Sequence, residues 1–242
     1  MKKRFLAVLA TGLLVVGMGG MVSVSEASLV YLSEYDPSSG LGFGAVDNIL
    51  SLHKPGGTGT IDDVESGQVA WNGISDVITG TYALTDPNKT ATFTFGYLGI
   101  NNASQIKLIW DPSEVGSPSG DDTQVFSLDM TIYNPAGVNV WSASLSAPVS
   151  HDHVVNPGLG VGDFIYGLDN TSILSLNAYL GSIGSYNSYR IGLASTIRYV
   201  DDGNDTWMIA RGPGAPVPEP ATMLLFGTGL AGLAAVARRR RN

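Results

Sequence analysis

The chain contains no cysteine, which excludes disulfide staples, thiolate catalysis and cysteine-ligated zinc. Histidine is nearly as scarce, with three residues, so imidazole has little scope as a metal ligand or general base. Charge is sparse as well: 14% of residues are Asp, Glu, Lys or Arg. Of the 13 Lys and Arg, Lys2, Lys3 and Arg4 stand at the start and Arg238, Arg239, Arg240 and Arg241 at the end. With Glu26 and Glu219 set aside with those ends, the body keeps six basic against nineteen acidic side chains, a formal charge of −13. Phosphate backbones need a positive surface, so nucleic acid is not an expected partner. A cation, or a neutral or hydroxyl-rich polymer, is easier to accommodate. Also absent are a Gly-x-Ser-x-Gly elbow, a His-Glu-x-x-His pair and a Walker loop, and with them the sequence signs of the common hydrolase and nucleotide-binding machineries.

What the chain does have is concentrated at its ends. Residues 221–237 carry no ionisable side chain. As a helix of about 1.5 Å per residue they reach roughly 25 Å, near the lower limit for a membrane span. Gly227, Gly229 and Gly232 lie within this run; they would weaken a helix in water but are common in membrane helices. Arg238 to Arg241 form the stop, and an arginine block favours the cytoplasmic side, which leaves the preceding chain outside the inner membrane. The competing reading, a buried core helix, does not account for four adjacent like charges at the end of the run. At the other terminus a basic start (residues 1–4) leads into an apolar stretch (5–24). Ser25-Glu26-Ala27 then sets small residues at the minus-three and minus-one positions of a cleavage site between Ala27 and Ser28, the pattern of a secretory signal peptide. An uncleaved anchor is the alternative, and either way the body is expected to be exported.

Between body and span stands Pro218-Glu219-Pro220, preceded by Val217 and followed by Ala221-Thr222. Tripeptide, single apolar span and terminal arginines, in a chain that opens on a signal peptide, resemble the PEP-CTERM sorting signal of Gram-negative bacteria. That resemblance covers about the last 25 residues. It implies recognition near the Pro-Glu-Pro by exosortase, an integral-membrane cysteine protease and transpeptidase, and a place at the surface or in the matrix of cells that make exopolysaccharide. The local chemistry suits the role: proline on each side of Glu219 disfavours helix and holds the segment extended, the form a protease cleft accepts. Residues 212–217, Gly-Pro-Gly-Ala-Pro-Val, form the linker. The expected organisation is therefore a signal peptide (1–27), an exported body (28–211), a linker (212–217) and a sorting signal (218–242).

The body reads as β. Ala91, Phe93, Phe95 and Tyr97 alternate with Thr90, Thr92, Thr94 and Gly96; Phe126, Leu128, Met130 and Ile132 alternate likewise, as do Ile106, Leu108 and Trp110. Turn residues punctuate these runs at Asp86-Pro87-Asn88, Asn101-Asn102, residues 116–122, Asn134-Pro135-Ala136-Gly137 and residues 201–205. About ten short strands predict a single all-β domain, an antiparallel β-sandwich or jelly roll, although residues 173–180 also fit a helix. One internal echo joins Gly40-Leu41-Gly42-Phe43-Gly44, Asp47-Asn48 and Ile49 to Gly158-Leu159-Gly160-Val161-Gly162, Asp169-Asn170 and Ile173. It reads either as equivalent loops entering strands or as coincidence in a glycine-rich chain.

Candidate sites in the body are few. His151 and His153 flank Asp152 and on a strand would share a face able to grip one metal ion; a third ligand is missing unless His53 comes close, and an exposed polar loop is the simpler reading. Asp62-Asp63 with Glu65, Asp121-Asp122, and Asp201 to Asp205 are acidic loop tips, and Asp201 with Asp205 about Gly203 offers partial calcium (Ca2+) geometry, but solvated turn acids are the simpler reading there too. Trp71, Trp110, Trp141 and Trp207 are candidates to stack on sugar rings, with core packing the first explanation for Trp110 and Trp141. The expected function is thus a non-enzymatic exported surface or matrix protein with no resident cofactor, with exosortase, the inner membrane and exopolysaccharide as partners. Its alternatives are a carbohydrate-binding module or a hydrolase acting on that polysaccharide.

Overall fold

The computed structural model describes residues 27–34, 45–112, 123–151, 164–200 and 203–212. Twelve strands belong to one sheet. In chain order they are β1 (Ala27–Glu34), β2 (Val46–His53), β3 (Val64–Trp71), β4 (Asp76–Thr79), β5 (Phe93–Thr94), β6 (Lys107–Asp111), β7 (Thr123–Tyr133), β8 (Asn139–Leu145), β9 (Val149–His151), β10 (Phe164–Leu168), β11 (Arg190–Arg198) and β12 (Asn204–Ala210). Spatially the order runs β2-β12-β6-β10-β1-β8-β7-β11-β3-β4, with β5 added to β11 and β9 to β7. Neighbours are antiparallel except β1 and β8, which pair in parallel from Ala27 opposite Ala143 to Leu29 opposite Leu145. The expected all-β class is present, but its two separate sheets are not: one continuous sheet curls around a single core.

The curl closes where the two arms of the sheet meet. Tyr82 donates its N–H to Ser66 O on β3 and accepts from His53 N on β2, and Leu84 N donates to Ser51 O. This short stretch therefore sews the arms together. Gly67 on β3 makes the approach feasible, since a Cβ there would lie 2.6 Å from Ala83 Cβ and 2.7 Å from Leu52 Cδ2. Leu50, Leu52, Leu108, Trp110, Leu128, Met130, Leu193, Ile197 and Trp207 line the enclosed core, all of them buried.

Local chemistry explains where the strand pattern was broken. The run through Phe95 and Tyr97 reads as a strand by alternation, yet only Phe93–Thr94 pairs, and Phe95–Leu98 is a turn of helix (α1). Thr94 Oγ1 accepts Tyr97 N, as an N-cap does, and Gly99 at φ 66° ends the turn in the left-handed region. On β7 the extra residue Phe126 falls at a bulge opposite Thr196 and Ile197. Val125 is thereby turned into the core, and Phe126 is left outside, 38% exposed. Residues 173–180 take the helical option within α2 (Asn170–Ser182), capped by Asp169, whose carboxylate accepts Ser172 N at 2.7 Å. Its buried positions Ser172, Leu176 and Leu180 recur every four residues on one face. The internal echo is not an architectural repeat: Ile49 lies on a strand and Ile173 on a helix, while both glycine runs fall outside the described residues.

Candidate functional site

Ala27 and Ser28 open β1, which lies in the middle of the sheet between β10 and β8. Ser28 N donates to Ser172 Oγ at 2.8 Å and Ser28 O accepts Asp169 N at 3.2 Å, tying this start to the first turn of α2. Residues 1–26, Pro218, Glu219 and Pro220, the apolar run 221–237 and Arg238, Arg239, Arg240 and Arg241 lie outside the described residues. Among the described residues no helix is long and apolar enough to cross a membrane.

The body ends in a clamp. Arg211 reaches Asp47 on β2 with two nitrogens, Nε to Oδ2 at 2.7 Å and Nη2 to Oδ1 at 2.8 Å. Its guanidinium lies 4.5 Å from the Tyr97 ring centroid and also donates to the Tyr97 hydroxyl, which itself donates to Asp47 at 3.0 Å. Tyr97 stacks on Phe93, ring centroids 5.5 Å apart. Burial alone would raise the Asp47 pKa, but hydrogen bonds from Arg211 and Tyr97 outweigh it and hold the carboxyl below its ordinary value. The backbone is fixed too: Arg211 N donates to Ala45 O at 2.9 Å and Gly212 N to Leu98 O at 2.7 Å. Gly212 is required by contact, since a Cβ there would sit 2.6 Å from Gly99 O. Arg211 and Gly212 are thus held at the α1 end of the sheet. Sequence reading missed this cluster; its only sign was an arginine directly before Gly212-Pro213-Gly214.

The metal candidates resolve differently. His151 is not on an exposed loop: it ends β9 and is 5% exposed, with Nε2 2.5 Å from the Tyr166 hydroxyl and its ring 3.8 Å from that of Phe164. Tyr31 and Trp110 complete an aromatic surround, and burial pushes the Tyr166 phenol well above its ordinary range. His153 and Asp152 lie outside the described residues. His53 faces Gly203 O through Nδ1 at 3.0 Å.

Among the described residues of the acidic tips, Asp62 is exposed and Asp63, Glu65 and Asp205 are interior. Asp205 and Glu65 are fully buried and Asp63 is 8% exposed, whereas Asp121, Asp122, Asp201 and Asp202 fall outside the described residues. Asp63 organises the loop before β3. Its Oδ2 accepts from both N and Oγ1 of Thr58 (3.0 and 2.7 Å) and of Thr60 (3.1 and 2.9 Å), and Lys54 Nζ pairs with Oδ1. The Lys54 contact first, then the Thr58 hydroxyl, drive its pKa far below the carboxylate range. Glu65 accepts Lys54 N. Among the described residues no group of three or more His, Asp or Glu side chains is placed to hold a metal ion.

Of the tryptophans, Trp110 and Trp207 are fully buried and stack on one another at 6.1 Å, so neither is a sugar platform. Trp71 is half-buried, with Arg190 Cζ 4.2 Å from its ring centroid and Nε1 donating to Pro135 O. Trp141 is half-buried, packs on the core and donates to Ser175 Oγ at 3.4 Å.

Among the described residues an open groove of about 320 Å³ lies on the outer face of β4, β3, β11 and β7, lined by Ser, Thr, Gln, Gly, Ala and a single Asp. No tryptophan lines it, and sequence reading did not find it, because its side chains come from the β3–β4 hairpin and from β7 and β11, three segments far apart in the chain.

Comparison with family models matches residues 216–241 to the PEP-CTERM protein-sorting motif. No curated protein and no solved structure matches the chain. The chain therefore carries a sorting motif that implies export and processing by exosortase. It begins four residues beyond the clamped Gly212.

Proposed function

We propose that this chain is a surface or extracellular-matrix protein, held in the inner membrane by residues 221–237 with its body in the periplasm until exosortase acts near Pro218-Glu219-Pro220. The observation that carries the reading is the sorting motif over residues 216–241. The clamp supports it: covalent geometry lets Glu219 stand no farther than about 25 Å from Gly212, so body and processing point arrive at the membrane together. The body is a non-catalytic module associated with exopolysaccharide. Four of its described carboxylates favour the non-catalytic part, since they are engaged in structure: Asp47 with Arg211, Asp63 with Lys54, Asp76 with Thr92 and Asp169 at the α2 cap.

Mass spectrometry of the protein recovered from the surface of producing cells tests the processing. The expected form begins at Ser28 and lacks Arg238 to Arg241. A protein recovered from the cytosol with Met1 and the terminal arginines intact would overturn the reading. Association is read separately: cells that make no exopolysaccharide should shed the protein into the medium, and undiminished retention would remove that part of the proposal.

A further inference from the structure

The outer face of the sheet carries two rows of short polar side chains in cross-strand register. Ser66, Thr196 and Ser127 stand side by side on β3, β11 and β7. Two residues along, Thr79, Gln68, Ala194, Asp129 and Ser144 continue the pattern from β4 across to β8. At strand spacings of ~4.8 Å the longer row spans roughly 19 Å, and the rows lie about 7 Å apart.

A solvated sheet face is expected to be polar, but not hollow and not nearly uncharged. Here both hold. Ala194 leaves the floor low at the centre of the longer row, and Arg198, two residues beyond Thr196 on β11 and outside the lining, is engaged elsewhere, its guanidinium 3.5 Å from the Phe126 ring centroid. In a body of nineteen acidic side chains the lining holds one carboxylate, Asp129, with Oδ1 accepting from Ser144 at 2.5 Å. Pockets for apolar small molecules are lined mainly by hydrophobic side chains with a few polar groups, the reverse of this composition. Hydroxyls and a carboxamide both donate and accept hydrogen bonds, so the lining matches a ligand whose own surface is made of hydroxyls.

We infer that this groove binds an uncharged, hydroxyl-rich glycan segment lying across the strands, with Gln68, Thr196 and Asp129 as its principal hydrogen-bonding groups. The assignment rests on the proposed association with exopolysaccharide and names the place and chemistry of that contact.

Affinity electrophoresis of the mature protein tests it, with polysaccharide stripped from the producing cells as the probe, used native and after chemical reduction of its carboxyl groups to alcohols. Retardation should be equal on the two polymers and persist in about 1 M salt, where the screening length is ~3 Å. Thr196→Trp, which fills the groove, and Gln68→Ala, which only truncates one outward side chain, should each weaken retardation, the former by about tenfold or more; far-UV circular dichroism shows that each variant is folded. Retardation that survives both substitutions would overturn the groove while leaving the association standing. Retardation abolished by carboxyl reduction or by salt would overturn the uncharged ligand. No retardation of the unaltered protein would remove the association and the groove together.

Discussion

Arg211 and Asp47 stand 164 residues apart in the chain and meet through two hydrogen bonds of 2.7 and 2.8 Å. The pair joins the residues that follow β12 to β2, an end strand of the sheet path. The two side chains are 15% and 14% exposed, between the surface pairs worth ~0–1 kcal/mol and the buried pairs whose breaking costs about 3–5 kcal/mol. Arg211→Ala is expected to lower stability by about 1–3 kcal/mol. Its more telling effect is local: backbone amides of residues 210–212 should exchange with deuterium faster than those of β7 and β11. If exchange at those three amides stays unchanged, the clamp does not hold the exit.

Acid should loosen the body through its paired carboxylates. Burial raises the Asp47 pKa, but Arg211 and Tyr97 more than offset this, and the Asp63 and Asp169 pKa values are lowered by Lys54 and by Ser172. A carboxylate with a depressed folded pKa contributes stability that is complete above its unfolded value, ~3.9, and fades as pH falls toward the folded value. Melting temperature should therefore be level, as far as these groups decide it, above about pH 5 and decline below about pH 4. Asp63→Asn should flatten that decline while lowering stability at neutral pH. A decline of the same steepness in this variant would show that Asp63 is not among the groups responsible.

Some of this was legible in the sequence and some was not. The Asn134-Pro135-Ala136-Gly137 turn is where turn chemistry puts it, with Asn134 Oδ1 accepting from Ala136 N and Val138 N. Ile106, Leu108 and Trp110 are buried as their alternation predicts. Phe126 was misread because a one-residue bulge reverses inside and outside without changing the local pattern. Phe95 and Tyr97 were misread because the Thr94 cap and Gly99 outweigh alternation. Asp205 and Glu65 look like turn acids, and only the closure of the sheet arms places them inside. The groove was out of reach altogether, since strand order and register come from contacts between distant segments rather than from neighbours.

Two hairpin ends lock by backbone contact, and this makes a sharp prediction. Gly137 has φ 82°, and a Cβ there would lie 2.2 Å from Asn72 C. Gly137→Ala therefore meets both left-handed strain, about 1–3 kcal/mol, and an overlap with backbone that no rotamer change relieves. Gly184→Ala shares a positive φ, 76°, but has open space around it. Chemical denaturation should rank Gly137→Ala clearly below Gly184→Ala. Equal midpoints would mean that strain alone matters and that the contact between the loops is not a constraint.

Replacing Pro218, Glu219 and Pro220 with alanine separates the sorting motif from the span that follows it. The substitution leaves residues 221–237 and Arg238 to Arg241 untouched, so membrane retention by an apolar run and its arginine stop should survive. What it removes is the proline-flanked glutamate within the matched motif. The expected outcome is accumulation in the membrane fraction of a chain that begins at Ser28 and ends at Asn242, with none reaching the surface. The body should be indistinguishable from the parent by melting temperature, because the substitution leaves the Arg211–Asp47 clamp and every residue of the sheet unchanged. If the C-terminus matures as before, processing does not read the Pro-Glu-Pro. If the variant instead appears in the medium with its arginines intact, the apolar run is not the anchor.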